Sequence, residues 1–556
     1  MRLGWRIASL GHRRRRINGG RIAYALLRPV FSTTPYRWSL GGAPARPAAF
    51  NAADSWPGDA SRGAIIVAGD FAAAGQVLRG VDSPWRGSGM SNRWRAEAAT
   101  FDWLRDLRAA GGDVARARGR ALIDDWIEHE GWWQPLTWRP HILGARIANW
   151  LVHAEFLCAG TSAAFRDRLY ASAGLQARHL ARIVRMTPPG SARLVALKGL
   201  IFAAAGLEGH EARLPRWVRM LEAEIGRQVL GDGGHAERSP AVHLSVLRDL
   251  VDMRAVLRDS GAEVPHALQN AIDRMTPMAR FFRHGDGGLA LFNDSIESEP
   301  WLIDVTLTRA EARGKPLDSA PHAGFERLTA NRTLVIMDTG CPAPPGFDAH
   351  AHAGTLSFEM SVGKERLIVN CGAHAGENES WRTAQRTTAA HSTVTVDDVN
   401  SSELLPDGGL GARPEHVAVE RREGDGNIWI EATHDGWRRA LGVTHTRRLY
   451  LGASGGDLRG EDTIDGSGAH RFAVRFHLHP AVKASLVQQG STVLLRLASG
   501  GGWRLRAGGG TISLQESVYL GASGEVRRTG QIVIAGAARD GQGQVKWALS
   551  RMTDEK

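Results

Sequence analysis

The apolar residues of this chain change period once along its length, and that change restricts the fold to a helical part followed by a sheet part. From about Trp103 to Phe282 they recur at helical spacing, as in Ala121-Leu-Ile-Asp-Asp-Trp-Ile127, Ile147-Ala-Asn-Trp-Leu-Val152 and Ser245-Val-Leu-Arg-Asp-Leu-Val-Asp-Met253. Such spacing draws one apolar stripe down a 3.6-residue helix, and Gly, Pro and Asp clusters divide the region into roughly seven or eight of them. After about Thr329 short β-branched runs take over: Arg332-Thr-Leu-Val-Ile-Met337, Arg366-Leu-Ile-Val-Asn370, Asn427-Ile-Trp-Ile-Glu431, Thr492-Val-Leu-Leu-Arg-Leu497 and Gln531-Ile-Val-Ile-Ala535. Turn sequences such as Glu423-Gly-Asp-Gly-Asn427 and Gly500-Gly-Gly502 separate them, as hairpins require. Helices then strands, rather than the two alternating, predict segregated domains. The expected division is a lead-in segment over 1–95, a helical domain over 96–325 and a β-sandwich over 326–556.

The net charge of +11 suggests a polyanion footprint until its position is examined. Residues 1–53 hold ten arginines and no acid, so the rest of the chain is close to neutral at about +1. The basicity belongs to a tail that includes Arg13-Arg-Arg-Arg16, expected to be mobile beside a partly irregular lead-in, and the case for nucleic-acid binding loses its support. The tail's apolar stretch Ile22-Ala-Tyr-Ala-Leu-Leu27 is short and flanked by Arg21 and Arg28, so no convincing secretory signal is present. No apolar run reaches the length of a membrane-spanning helix. Cys158, Cys341 and Cys371 are odd in number and scattered, which excludes a disulfide framework and a CxxC metal site.

Three imidazoles mark the sheet half. His350-Ala-His352 precedes Thr355-Leu-Ser-Phe-Glu-Met-Ser-Val362, and His391 opens Ser392-Thr-Val-Thr-Val396. If His350 and His352 enter a strand, their i, i+2 spacing points both rings one way, and His391 can face them from a neighbouring strand. Such a cluster suits proton transfer near neutral pH or metal ligation. In a chain with 21 histidines, three solvated or backbone-bonded rings are the alternative.

Longer motifs add to this. Leu230-Gly-Asp-Gly-Gly-His-Ala-Glu-Arg-Ser-Pro-Ala-Val-His243 in the helical half, with His350-x-His352, Leu367-Ile-Val-Asn-Cys-Gly372 and Arg386-Thr-Thr-Ala-Ala-His-Ser-Thr393 in the strand half, resembles the heparinase II/III-like polysaccharide lyases in order and spacing. The resemblance covers most of 96–556. It implies an incomplete α/α toroid followed by a large antiparallel β-sandwich, with the active cleft between them. It also implies β-elimination on an acidic, uronic-acid-containing polysaccharide. That reaction removes the weakly acidic C5 proton of a uronate, so a site must neutralise the adjacent carboxylate and place a base within reach of C5. The resemblance puts His350 in the role of the β-domain histidine and a metal position on His352, His391 and Asn370. No cofactor is required by this reading, and a divalent zinc or calcium ion is the possible addition.

Three departures bear on the chemistry. Val242 stands where the family motif has Tyr, and Ser191-Ala-Arg-Leu-Val-Ala-Leu-Lys198 offers only Arg193 and Lys198 where relatives often show Asn-His. Asn370 replaces the usual metal-binding Asp, so an ion is expected to bind weakly or not at all. Three readings follow. The chain is a lyase with substituted roles, His350 or His243 as base, Glu237 beside them, and Arg238 or Arg193 neutralising the carboxylate; or a hydrolase using Glu237 and Asp294; or a carbohydrate-binding or assembly protein. Trp381, Arg382 and Arg386 precede His391 in a loop, where they meet a substrate carboxylate or form salt bridges. Trp132, Trp133, Trp138 and Trp150 either stack on sugars or pack helices, with packing favoured, and Arg146 and Asn149 either line the cleft or bridge neighbours. Asn293 and Asp294 either reach the cleft or close a turn, with the turn favoured, and His477-Leu-His479 is expected to be structural. The resemblance points to the bacterial cell envelope, whereas the missing signal points to the cytoplasm.

Overall fold

Helices run from Gly19–Phe31 to Pro300–Ala310 and strands dominate from Ser319–Ala320 onward, in a computed structural model that describes residues 19–552 apart from 43–44, 49–53, 88, 375–377, 407 and 523–524. The Arg13–Arg16 run lies outside the described residues.

The long helices Gly112–Glu130, Pro140–Val152, Ala163–Ile183, Ser191–Gly206, Leu214–Gln228, Pro240–Asp259 and His266–Phe281 share one apolar core. Pro140–Val152 and Ser191–Gly206 touch backbone to backbone, since a Cβ on Gly199 would stand 2.4 Å from the Gly144 Cα. Pro240–Asp259 starts where its sequence says it should: Ser239 caps it by accepting the Val242 N–H, and Pro240 occupies the first turn. Trp126, Trp138 and Trp150 are fully buried, and the Trp126 and Trp150 rings meet edge to face at 5.4 Å. Trp133 is buried with them, while the partly buried Trp132 packs on Tyr36. These tryptophans are core, not a sugar platform. Arg146 bridges Gln176 and the carbonyls of Ala99 and Thr137, and Asn149 donates to the Thr100 carbonyl, so both tie neighbouring segments together.

The lead-in is more ordered than its composition suggests. Phe31 is buried, and Tyr36 Oη lies 2.8 Å from His179 Nδ1 on the Ala163–Ile183 helix. Aromatic side chains of the lead-in thus supply the anchor that its arginines cannot.

The second half stacks an eight-stranded on a nine-stranded antiparallel sheet. Asp425 and Gly426, at φ 52° and 76°, form the left-handed two-residue turn between Val417–Gly424 and Asn427–His434 that the Asp-Gly pair predicts. Between the sheets, Phe358 stacks on Trp547 at 5.8 Å with an interplanar angle of 4°. A separate apolar cluster joins the halves, packing Leu244, Phe281 and Phe282 against Phe292, Phe325 and Ile336.

Candidate active site

At this junction the helical half presents Glu237 and Asp294, and the sheet half presents His350. His350 Nδ1 lies 3.0 Å from Asp294 Oδ2 and Nε2 lies 3.7 Å from Glu237 Oε2, with 39% of the imidazole side chain exposed. His350 and His352 do not enter a strand, because pairing begins only at Phe358–Val362. Their rings share a side for another reason: both reach Asp294, His352 Nε2 at 3.3 Å from Oδ1.

Asp294 is therefore the organising residue. It follows Asn293 in a turn whose two residues sit at φ 49° and 62°, a region that Asn and Asp tolerate better than most. The turn is fixed from three directions. Asn293 donates to the Arg238 carbonyl and accepts the His352 N–H, while Ser295 Oγ accepts the Ala241 N–H at the start of the Pro240–Asp259 helix. Gln385 Nε2 donates to Asp294 Oδ1 at 2.7 Å. Burial pushes the Asp294 carboxyl up, but the hydrogen bonds and charges of His350 and His352 outweigh it and hold the group well below the usual carboxylate range. The turn expected from the sequence is present, and it also delivers the aspartate to the histidines.

Glu237 is held by a helix end. Its Oε1 accepts the Ser191 N–H at 2.7 Å at the start of Ser191–Gly206, where the helix dipole favours a carboxylate. Gly190, at φ 119°, is needed there, because a Cβ would come within 2.9 Å of Glu237 Oε1.

His352 and His391 meet through facing ring nitrogens. His352 Nδ1 and His391 Nε2 are 3.1 Å apart, His391 Nδ1 lies 2.8 Å from the Thr387 carbonyl, and His352 Nε2 accepts the Asp294 N–H. Burial, followed by the charge of His352, holds the His391 pKa well below the usual histidine value. Asn370 spends its carbonyl oxygen on the Ser392 N–H. The amide thus supplies no charge to offset a divalent cation beside the two imidazoles.

Other sequence candidates lie elsewhere. Arg238 is a correction: its buried guanidinium binds Asp338 at 2.6 Å and the carbonyls of Ala323 and Gly324, cementing the two halves. His243 is a second correction. It is buried beside Phe282 with Nε2 2.9 Å from the Met275 carbonyl, and burial lowers its pKa to about 4. Arg193 is a third, since Glu224 and the Thr187 carbonyl take its guanidinium. Arg386 is buried and donates to the Ala351 and Gly409 carbonyls, so it shapes the histidine loop. Trp381 is half-buried, whereas Arg382 is exposed and close enough for its charge to oppose protonation of His350. His477 is buried between Ser517 and the Ala389 carbonyl, a structural position.

The family description "Heparinase II/III N-terminus" matches residues 123–310, and "Heparinase II/III-like, C-terminal" matches residues 312–548. The chain belongs to the heparinase II/III-like family. A relative, FtsZ-localized protein C of Caulobacter vibrioides, is 35% identical over 554 residues, covering 94% of each chain. Among solved structures of this family's fold, a crystal structure of heparinase III superimposes with a TM-score of 0.73 at 14% identity, over 95% of this chain and 89% of that one. The heparan sulfate lyase HepC mutant from Pedobacter heparinus gives 0.62 at 18% identity, over 97% and 89%. The fold is thus the incomplete α/α toroid followed by a β-sandwich, and His350, Asp294 and Glu237 lie at its junction.

Proposed function

We propose that the chain is a polysaccharide lyase that cleaves a uronic-acid-containing polymer by β-elimination, with His350 as the base. The observation that carries this reading is an imidazole held between two carboxylates at the junction of toroid and sandwich, with part of its ring open to solvent. With Nδ1–H donated to Asp294, the neutral ring keeps its Nε2 lone pair for the C5 proton. As C5 loses that proton to Nε2, the C4–O4 bond breaks, the C4–C5 double bond forms, and the departing O4 takes a proton from the imidazolium or from water. Asp294 orients the ring and stabilises the imidazolium, as a carboxylate does for a catalytic histidine elsewhere. Arg382 is the exposed cation beside His350 and would neutralise the uronate carboxylate.

Hydrolysis through Glu237 and Asp294 is disfavoured because the two acids face opposite nitrogens of one imidazole, so the ring fills the space between them. A non-catalytic role in assembly has one specific argument. Val242 cannot transfer a proton where the family motif has Tyr, and the 35% identical relative is named for its localisation with FtsZ rather than for a reaction.

One experiment separates these readings: incubate the protein with a panel of uronic-acid polymers and follow ultraviolet absorbance and reducing ends together. Elimination creates a conjugated 4,5-unsaturated uronate, so absorbance is expected to rise. Reducing ends alone would indicate hydrolysis, and retention on the polymer with neither signal would indicate binding. The same preparation addresses the metal. Elemental analysis of chelator-free protein is expected to give well below one zinc or calcium per chain, because Asn370 supplies no anionic ligand beside His352 and His391, and one tightly held ion would contradict this.

A further inference from the structure

The outward face of the eight-stranded sheet carries a row of side chains that the cleft does not use. Val417–Gly424, Asn427–His434, Val443–Leu451, Asp457–Gly466, Gln542–Arg551 and Gly502–Gly508 are consecutive in that sheet. Their register sets Arg422 opposite Trp429, Trp429 opposite Tyr450, Tyr450 opposite Arg459, Arg459 opposite Ala548 and Ala548 opposite Arg506. The row crosses six strands, about 24 Å at the usual strand spacing. It lines a shallow groove of about 770 Å³.

Two features separate this row from an ordinary sheet surface. Trp429 is 41% exposed, with its ring 5.2 Å from that of Tyr450 at 46°, so two adjacent aromatic surfaces face outward and the Arg459 guanidinium sits 5.6 Å over the second. The charge is also sorted by row. Two residues along the strands on the same face, Arg448 pairs with Glu431 and Glu461, and Lys546 pairs with Glu461, so that row mixes both signs. The aromatic row itself contains three arginines and no acid; Arg422 pairs with Glu420 at 2.6 Å and Arg459 with Asp457 at 2.7 Å, in exposed pairs that a ligand carboxylate can exchange, and Arg506 makes no ion pair among the described residues.

We propose that this row is a second binding surface for a strand of uronic-acid polymer, separate from the His350 cleft and holding the chain on its substrate. Pyranose rings would lie on Trp429 and Tyr450, with their carboxylates on the flanking guanidinium groups. The choice of ligand rests on the proposed function above, whereas the surface itself does not.

The test uses the full chain and a Trp429→Ala, Arg506→Gln double variant, whose outward side chains carry no core packing. Affinity electrophoresis in gels of the same uronic-acid polymers should show retention falling about 10-fold or more, as for loss of two anchoring contacts. Cleavage of a short uronate oligosaccharide should stay unchanged, and His350→Ala should still be retained. Retention through Trp429 and Arg506 without any chromophore would support this surface and sink the lyase reading. Elimination with retention equal in wild type and double variant would do the reverse. Absence of retention on every polymer, or retention only on single-stranded nucleic acid, would overturn the proposed ligand.

Discussion

Replacing His350 by alanine is expected to slow elimination about 100-fold or more, the scale of a lost general base, while leaving the fold intact. The ring is 39% exposed and its partners are side chains at the junction, so its loss opens no core cavity. A dependence on pH accompanies this. Burial lowers the His350 pKa, but the hydrogen bond and charge of Asp294, followed by the charge of Glu237, outweigh it and raise the pKa above the ordinary 6.5. The base acts only when neutral, so kcat/KM should fall as pH drops through that raised value. Asp294→Asn removes the main cause and should move this acidic limb down by about a unit or more. For stability the sign is opposite: the cationic ring's interactions contribute fully below its unfolded pKa and are lost as pH rises through the folded one. An unchanged rate in His350→Ala would sink the assignment of the base, and an unmoved limb in Asp294→Asn would sink the role of Asp294.

Asp462→Ala is expected to destabilise the chain by about 3–5 kcal/mol, the cost of leaving one member of a buried ion pair without its partner. Asp462 and Arg447 are wholly buried between the sheets and joined at 2.7 Å, and His445 and the Trp547 indole also bond to Asp462. Arg447 donates onward to the carbonyls of Leu356 and Ser392, which flank the histidine loop and His391. Although burial alone would raise the Asp462 pKa, the charges and hydrogen bonds of Arg447 and His445 hold it far below the ordinary value of 3.8. Its contribution should therefore be complete above that value and fall away as pH drops towards the folded pKa. Urea unfolding at neutral pH measures the loss, and a change under about 1 kcal/mol would show that the pair is dispensable.

Sequence alone determined the parts that depend on short-range pattern. The switch from period 3.6 to period 2 set the order of helical and sheet regions, because side-chain direction repeats locally along each element. Ser239-Pro240 fixed a helix start, and Asp425-Gly426 fixed a hairpin, because capping and left-handed turns are decided by a few neighbouring residues. The three clustered histidines were also visible, although the strand invoked to align them proved to be a loop.

What needed the tertiary structure was which charged groups face one another. Arg238 stands next to Glu237 in sequence, yet its guanidinium turns to Asp338, 100 residues away, and locks the two halves. His243, one turn further on, is buried against Met275. Asp294, read from the sequence as a turn residue or a hydrolytic acid, lies 56 residues from His350 and organises the site through a hydrogen bond across the domain junction. Periodicity reports which face of an element is apolar, whereas hydrogen-bond partners are chosen by how two domains dock, and that choice has no local trace in the chain.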